Sequence, residues 1–248
     1  MDSYISNYDS FTKKMVYDFK LGDGGIGDCI KFFMFVLVSC IKNNTRLYYK
    51  KNNIEIENYI GLKYDKMYID EDKIKQLDCV EVVNPYMYHS TINCDYNINI
   101  NEVFYFTDEV KINCKNLFPE NINNYISIHL RLGDKYLETE KHYVLCKNDI
   151  RTFKEENIYK FIEENYSENI FFCCDNNNYK IKLKEKYNNI IITNCDIGHS
   201  SLSNTNKKQI LDAITEFYIL TNSKMIFAAS QSGFSIVASK FNNISLIQ

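Results

Sequence analysis

Short apolar runs alternate with longer, helix-like segments along most of the chain. Strands are predicted over residues 15–21, 45–51, 66–69 and 79–83, and again over 125–132, 169–175, 189–193, 224–229 and 244–247. Helices are predicted over residues 26–41, 151–166, 176–187, 206–220 and 232–241. Because strands that alternate with helices of about 10–15 residues are typical of βαβ units, the pattern predicts an α/β fold with parallel sheets.

The two series of elements are separated by a polar stretch, residues 118–124, which contains Pro119. A chain of 248 residues is long enough for one large domain or for two small ones. We therefore expect two facing Rossmann-like domains, the first formed by residues 1–120 and the second by residues 121–248.

Charge and cysteine usage exclude several classes of function. The net charge is -3 with both signs interspersed, which favours neither a nucleic-acid partner nor a polybasic membrane surface. The nine cysteines form no CxxC pair and have no histidine at zinc-finger spacing, so we expect neither a metal site nor a disulfide framework. The longest apolar run, residues 32–41, is too short to span a bilayer, and the polar N-terminus does not resemble a signal peptide. We expect a cytoplasmic protein.

The stretch "LGDGGIGDCI" follows a predicted strand and opens a predicted helix, and three interpretations of it remain open. Gly22, Gly24 and Gly27 fit the GxGxxG pattern of dinucleotide-binding loops. Such loops need an acidic residue at the end of the second strand, where this chain has Lys50 and Lys51. The alternatives are a tight strand-to-helix turn, or a loop that approaches a phosphate or sugar at the helix N-terminus.

A charged cluster ends the first strand of the second half. His129, Arg131 and Asp134 lie where an open parallel sheet binds its ligands, beyond the C-terminal ends of the strands. A buried guanidinium needs an anion, because leaving it unpaired costs several kcal/mol. The anion is either an internal carboxylate, with Asp134 or Glu138 as the candidates, or a phosphate group of a ligand.

Two further strand ends carry similar chemistry. Asp175 closes the next strand, and a serine-rich turn leads from a later strand into the last predicted helix. In that turn Ser232 occupies the N-cap position and Ser235 follows three residues later. The serines are explained either by helix capping or by a pyrophosphate held at the helix start by backbone N–H groups and hydroxyls.

Taken in order, these motifs resemble those of the GDP-fucose fucosyltransferase superfamily, which includes the α1,2-, α1,6- and protein O-fucosyltransferases. The resemblance rests on HxRxGD at residues 129–134, the apolar strand 170–175 that ends in Asp, and Asp212 followed by the serine-rich turn 230–235. The loop "GGIGDCI" resembles the glycine-rich loop of the same enzymes, with Asp28 where Asn is usual.

The resemblance implies a GT-B architecture that binds the sugar nucleotide in the C-terminal half, and an inverting transfer without a metal or other cofactor. GDP-fucose would be the donor, and a glycan or protein hydroxyl the acceptor. By position, Arg131 would bind the β-phosphate, His129 would support the nucleotide or sugar, Asp212 would accept hydrogen bonds from guanine, Ser232 would contact the phosphates, and Asp175 would lie near the ribose or base. The remaining expected substrate-binding residues are Gly25, Gly27, Asp28, Gly233, Phe234 and Ser235.

The general base is the least constrained assignment. Asp134 is the preferred residue, with Asp28 or Asp23 on the glycine-rich loop as alternatives. Arg131 and Asp134 are therefore the expected catalytic pair. His142 and His199 are expected to be ordinary surface or loop residues.

Other interpretations compete with these assignments. Asp212 and Glu216 fall on one helix face, which is explained equally well by exposure to solvent. The sequence Asp70-Glu71-Asp72 fits the metal-binding DxD motif, but also the first turn of a helix. Two other functions compete for the whole protein. One is a GT-B transferase that uses another sugar nucleotide, since the glycine-rich loop also resembles that of heptosyltransferases. The other is a sugar-nucleotide-binding protein without catalysis.

Overall fold

The structure, a computed structural model, describes residues 1–78, 80–83, 97–133 and 151–248. Within these ranges the α-helices are α1 (Asp2–Asn7), α2 (Ile26–Lys42), α3 (Glu71–Ile74), α4 (Asp108–Leu117), α5 (Glu155–Glu164), α6 (Asn177–Lys186), α7 (Lys207–Thr221) and α8 (Gly233–Phe241). The strands are β1 (Lys13–Tyr17), β2 (Thr45–Lys50), β3 (Ile60–Leu62), β4 (Tyr68–Ile69), β5 (Val80–Val83), β6 (Phe104–Phe106), β7 (Ile126–Leu130), β8 (Ile170–Cys174), β9 (Ile190–Ile191), β10 (Met225–Ala228) and β11 (Ser245–Ile247).

Nine of the eleven described strands form two separate parallel sheets, and the predicted α/β fold is confirmed. The first sheet has the order β4-β2-β1-β5 and comes entirely from residues before 84. The second has the order β11-β10-β7-β8-β9 and comes from residues after 125. Strands β7 and β8 are buried along their whole length, which explains their continuous apolar sequence, because helices cover both faces of such a sheet.

Strand β1 is shorter than predicted. The apolar pattern continues to residue 21, but the ladder with β2 ends at Tyr17. Beyond that point Phe19 is still buried and its ring stacks on Tyr17, so the apolar side chain belongs to a loop that packs on the core. The chain leaves the sheet at Asp18, whose carboxylate accepts a hydrogen bond from Asn52 at 2.8 Å.

Several short elements were not predicted. Helix α4 has Val110 as its one buried residue, so its sequence gives only a weak apolar stripe. Strands β3 and β6 form a small antiparallel pair in which Ile60 lies opposite Phe106, and three residues are too few to show a period. Helix α5 begins at Glu155, later than the predicted residue 151. No helix in the described ranges is both long enough and apolar enough to cross a membrane.

Helices α2 and α8 meet at their first turns, and this contact positions the site. A Cβ atom built on Gly27 would lie 2.9 Å from the carbonyl carbon and oxygen of Gly233 and 3.0 Å from the backbone nitrogen of Phe234. Only glycine permits so close an approach of two backbones. The "GGIGD" turn therefore has a packing role between the two halves.

Gly27→Ala is expected to destabilise the protein by about 1–3 kcal/mol, the range for overpacking, because the added methyl group meets backbone atoms that cannot rotate away. Gly25→Ala is the matched control. Its backbone angles are extended, and its Cβ atom would lie 3.6 Å from the nearest His199 atom, an ordinary contact. Urea unfolding of the two variants measures the difference, and equal stabilities would show that the two helix starts can separate without cost.

Candidate functional site

A cavity of about 480 Å³ opens at the C-terminal edge of the second sheet, beside the first turns of α2 and α8. Its walls come from residues 25–28, 173–175, 195–200 and 231–234, together with His129 and Arg131. The volume is that of a typical small-molecule site. Residues from both halves contribute to the cavity, as expected for a ligand held between them.

Arg131 is paired with a carboxylate inside the protein. Its Nε atom lies 3.4 Å from Asp175 Oδ2, and both side chains are largely buried. Asp175 also accepts hydrogen bonds from the backbone nitrogens of Leu132 at 2.7 Å and Gly133 at 3.2 Å. Burial raises the pKa of Asp175, while the charge of Arg131 and these two donors oppose the rise. The expected partners Asp134 and Glu138 lie outside the described residues.

Ser230 fixes the backbone of Arg131 at the end of β7. Its hydroxyl accepts a hydrogen bond from the Arg131 nitrogen and donates one to the Arg131 carbonyl, both at 2.9 Å. Ser230 is buried and follows β10, the strand that pairs with β7. The serine thus ties two neighbouring strand ends together at the cavity and sets the direction in which the arginine leaves the sheet.

His129 lines the cavity as a neutral ring. It stacks on Phe234 of α8, with ring centroids 5.2 Å apart. Burial, with the nearby Arg131 charge, lowers the pKa of His129 to about 3. Its Nδ1 atom is buried and has no hydrogen-bond partner among the residues described. A neutral aromatic ring beside a guanidinium can pack against a nucleotide or sugar. It does not add a second positive charge for an anion.

Because the folded-state pKa of His129 is below its ordinary value of about 6.5, the unfolded chain binds more protons between pH 6.5 and 3. The contribution of His129 to the free energy of unfolding is therefore complete above pH 6.5. It falls by about 1.4 kcal/mol for each pH unit below that value. His129→Phe keeps the stacking on Phe234 but cannot titrate. Its stability is expected to decline less steeply than that of the wild type between pH 6.5 and 5. Parallel pH profiles of urea unfolding would count against the shift.

The start of α8 forms one wall of the cavity. Ser232 is the N-cap, and its Oγ accepts a hydrogen bond from the Phe234 nitrogen at 3.3 Å. Ser235 is fully buried, donates to the Ser232 carbonyl at 3.2 Å and does not line the cavity. The capping interpretation thus holds for Ser232, while Ser235 donates its hydroxyl back to the carbonyl of the N-cap residue. Ser232, Gly233 and Phe234 also line the cavity. The cap uses the Phe234 N–H, and the other backbone N–H groups at the helix start have no partner within the helix.

The glycine-rich loop supplies the opposite wall through Gly25, Gly27 and Asp28. Asp28 Oδ2 accepts a hydrogen bond from the Gly25 nitrogen at 3.2 Å, so the third residue of α2 caps the backbone of the glycine before the helix. Its Oδ1 atom lies 2.9 Å from Lys31 Nζ. The alternative base Asp23 is not part of the cavity wall, and its carboxylate accepts from the Lys20 nitrogen at 2.7 Å.

Asp212 lies behind the cavity wall, and the expectation of a solvated face on α7 is wrong. Its side chain is 2% exposed. It accepts hydrogen bonds from Lys208 Nζ at 2.6 Å and from the Asp196 nitrogen at 2.9 Å. Asn113 of α4 donates a third, at 3.1 Å. Asp212 therefore anchors the backbone at Asp196, in the segment 195–200 that does line the cavity.

Glu216, one turn further along α7, reaches the cavity wall itself. Its carboxylate lies 2.5 Å from Nζ of the fully buried Lys180 and accepts a hydrogen bond from the Thr193 hydroxyl. Burial lowers the pKa of Lys180, but the Glu216 charge outweighs burial and raises the pKa above its ordinary value. The Asp212 and Glu216 side chains are thus both buried, Asp212 paired with the exposed Lys208 and Glu216 with the buried Lys180.

Other cavity residues were not predicted from the sequence. His199, expected to be an ordinary loop residue, lines the cavity, and its Nδ1 accepts from the Ser201 nitrogen at 3.2 Å. His199 belongs to the loop after β9. The rule that ligands bind at the C-terminal ends of parallel strands could therefore have predicted its place in the cavity wall. Lys31 and Arg151 also line the cavity without any local motif. His142 and the preferred base Asp134 are outside the described residues.

The acidic stretch Asp70-Glu71-Asp72 is not part of the cavity wall. Asp70 is the N-cap residue of α3, and Glu71 forms an ion pair with Lys50 at 2.5 Å. The stretch thus occupies a helix start, as its second interpretation predicted.

Two parallel sheets flanked by helices, with a cavity between the helix starts, define a GT-B-like α/β fold. The structure is similar to that of the NodZ α-1,6-fucosyltransferase soaked with GDP-fucose, with a TM-score of 0.59 and 10% identity over 92% of each chain. It is also similar to NodZ from Bradyrhizobium, with a TM-score of 0.54 and 11% identity over 94% of this chain and 96% of that one. A mutant of Arabidopsis thaliana FUT1 in complex with GDP matches with a TM-score of 0.56 and 11% identity, over 99% of this chain and 74% of that one.

No protein-family model matches the chain, and no curated protein matches it at a significant level. At identities of 10–11%, the structural similarity establishes the fold. The chain shares that fold with GDP-fucose-dependent fucosyltransferases.

Proposed function

We propose that the protein is an inverting, metal-independent glycosyltransferase that moves fucose from GDP-fucose to a hydroxyl group of a glycan or protein acceptor. The observation that carries the proposal is the fold shared with NodZ over 92% of both chains, with Arg131 and the start of α8 on one cavity. Residues 121–248 would bind the donor, and residues 1–120 would present the acceptor.

The proposed transfer is a direct displacement at the anomeric carbon of the donor sugar. An acceptor oxygen attacks the anomeric carbon, the bond from that carbon to the β-phosphate oxygen breaks, GDP leaves, and a base takes the hydroxyl proton. The leaving diphosphate gains charge as the bond breaks. Arg131 and the free N–H groups at the start of α8 supply positive charge where that oxygen would sit. His129, being neutral, would pack against the donor without competing for the phosphates.

Asp28 gains support as a candidate base from its place in the cavity wall, which Asp23 lacks. Asp134, which lies outside the described residues, remains the preferred base on the resemblance of its motif. Asp28→Asn and Asp134→Asn separate the two candidates. The variant that loses transfer but still binds GDP identifies the residue that takes the proton.

A carboxylate on the cavity wall would recognise guanine, because it can accept from N1–H and the 2-amino group together. Glu216 now fits this role better than Asp212, since Glu216 lines the cavity and Asp212 does not. We expect GDP to bind more tightly than UDP or ADP, and Asp212→Asn to keep that preference while Glu216→Gln reduces it. Calorimetric titration of the three nucleotides checks this, and equal affinities for all three would refute guanine recognition.

Turnover of GDP-fucose tests the proposed function directly. The wild-type protein is incubated with GDP-fucose, UDP- and ADP-sugars, and a mixed panel of glycan and peptide acceptors, and released nucleotide is measured. Release of GDP with fucosylated product supports the proposal. Turnover of another sugar nucleotide would make the protein a GT-B transferase of different donor specificity. Nucleotide binding without turnover of any donor would make it a binding protein.

A further inference from the structure

Lys31 belongs to the first half of the chain but lies at the start of a helix from the second. A Cβ atom built on Gly233 would lie 4.0 Å from Lys31 Nζ and 3.8 Å from Asp28 Oδ1. The side chain also lines the cavity that contains Arg131. We propose that Lys31 is a second cation for the donor diphosphate, supplied from the half opposite to Arg131. This inference rests on the proposed binding of a nucleoside diphosphate at the start of α8.

The lysine is held in place before any ligand binds. Its side chain is 12% exposed, and its ammonium lies 2.9 Å from Asp28 Oδ1 and 4.7 Å from the centre of the Phe32 ring. The other oxygen of Asp28 is fixed by the Gly25 nitrogen. A lysine on the surface loses rotamer freedom when it binds an anion, whereas a restrained lysine has already lost most of it.

Charge balance explains why a second cation is needed. A diphosphate carries more than one negative charge, and Arg131 and Lys31 each share their charge with one carboxylate, Asp175 at 3.4 Å and Asp28 at 2.9 Å, so neither cation would balance it alone. An ammonium carries three N–H donors, so it can contact Asp28 and a phosphate oxygen at the same time. With Arg131 on one side and Lys31 on the other, the diphosphate would bridge the two halves at the contact between Gly27 and Gly233.

Affinities of Lys31→Ala for guanosine, GMP and GDP, measured by calorimetry at constant ionic strength, test the assignment. GDP binding is expected to weaken about 10- to 100-fold, the range for loss of a hydrogen bond to a charged group. Guanosine binding is expected to stay unchanged, because it offers no phosphate. Lys31→Arg keeps a cation at this position and is expected to retain most of the GDP affinity. The GDP affinity of Lys31→Ala is also expected to depend less steeply on salt than that of the wild type.

Lys42→Ala is the matched control, since Lys42 ends the same helix and is not part of the cavity wall. It is expected to bind GDP like the wild type. Wild-type GDP affinity in Lys31→Ala would overturn the assignment, as would an equal loss of guanosine and GDP binding, which indicates a distorted cavity. If the wild-type protein binds no nucleoside diphosphate at all, both the proposed function and the role of Lys31 fail. If the wild type binds GDP and Lys31→Ala does too, only the role of Lys31 fails.

Discussion

Arg131→Ala is expected to slow the proposed transfer from GDP-fucose about 10²–10³-fold, the usual effect of removing one charge-stabilising donor. The planar guanidinium carries five N–H donors, so it can hold Asp175 with one edge and the leaving diphosphate with another. Arg131→Lys keeps the charge but loses this fork, and is expected to restore little activity. Rates measured with each variant, with and without a chelator, check both points, because a transfer driven by protein cations is insensitive to chelation.

The folded state is expected to survive the loss of Arg131. The Asp175 carboxylate keeps its hydrogen bonds from the Leu132 and Gly133 nitrogens, at 2.7 and 3.2 Å, so it is not left without donors. Arg46→Ala serves as the control for loss of an arginine. Arg46 donates to the Tyr8 carbonyl at 2.9 Å in the first half and is not part of the cavity wall. A collapsed melting temperature in Arg131→Ala, with transfer lost for that reason, would mean that the guanidinium mainly holds the fold.

Lys180→Met is expected to lower the free energy of unfolding by about 3–5 kcal/mol, because it leaves the Glu216 carboxylate buried without its cation. The double variant Lys180→Met/Glu216→Gln removes both charges and is expected to recover most of that loss. The double variant still lacks the carboxylate at the cavity wall, so its affinity for GDP is expected to be lower than that of the wild type. Urea unfolding and GDP titration of the same three proteins separate the structural role of the pair from its role at the site.

Lys182→Met provides the comparison on the same helix. Lys182 is largely exposed and pairs with Glu155 at 2.8 Å, and exposed ion pairs contribute little to stability. Its stability is expected to remain close to that of the wild type. If Lys180→Met were equally stable, the Glu216 charge would have to find another cation or reach water, and the buried pair would not be a structural requirement.

The sequence was sufficient to predict the parallel strands and the edge of the sheet where ligands bind. Strands such as β7 and β8 are buried on both faces, so their apolar residues are continuous and easily recognised. Arg131, Asp175 and Ser232 then fall together because the C-terminal ends of parallel strands share one edge. For the glycine-rich loop, the structure shows the tight packing at Gly27, and the role of the loop toward a ligand stays a prediction.

Contacts between distant parts of the chain could not be predicted. The helical period placed Asp212 and Glu216 on one face of α7, but it does not reveal what covers that face. The covering groups are Lys180 from α6 and Asn113 from α4, which have no local relation to α7 in sequence. Lys31 was missed for the same reason, because its place at the start of α8 depends on how two glycines meet.

The shared core has a consequence for how the molecule unfolds. Buried side chains of α2, such as Phe33 and Leu37, belong to the same hydrophobic cluster as Phe217 of α7 and Val237 of α8. Neither half can lose its structure without exposing apolar surface of the other, so we expect the two halves to unfold as one cooperative unit despite their separate sheets. A ligand that bound in the cavity would then stabilise the whole chain, and hydrogen exchange would slow in distant segments of both halves.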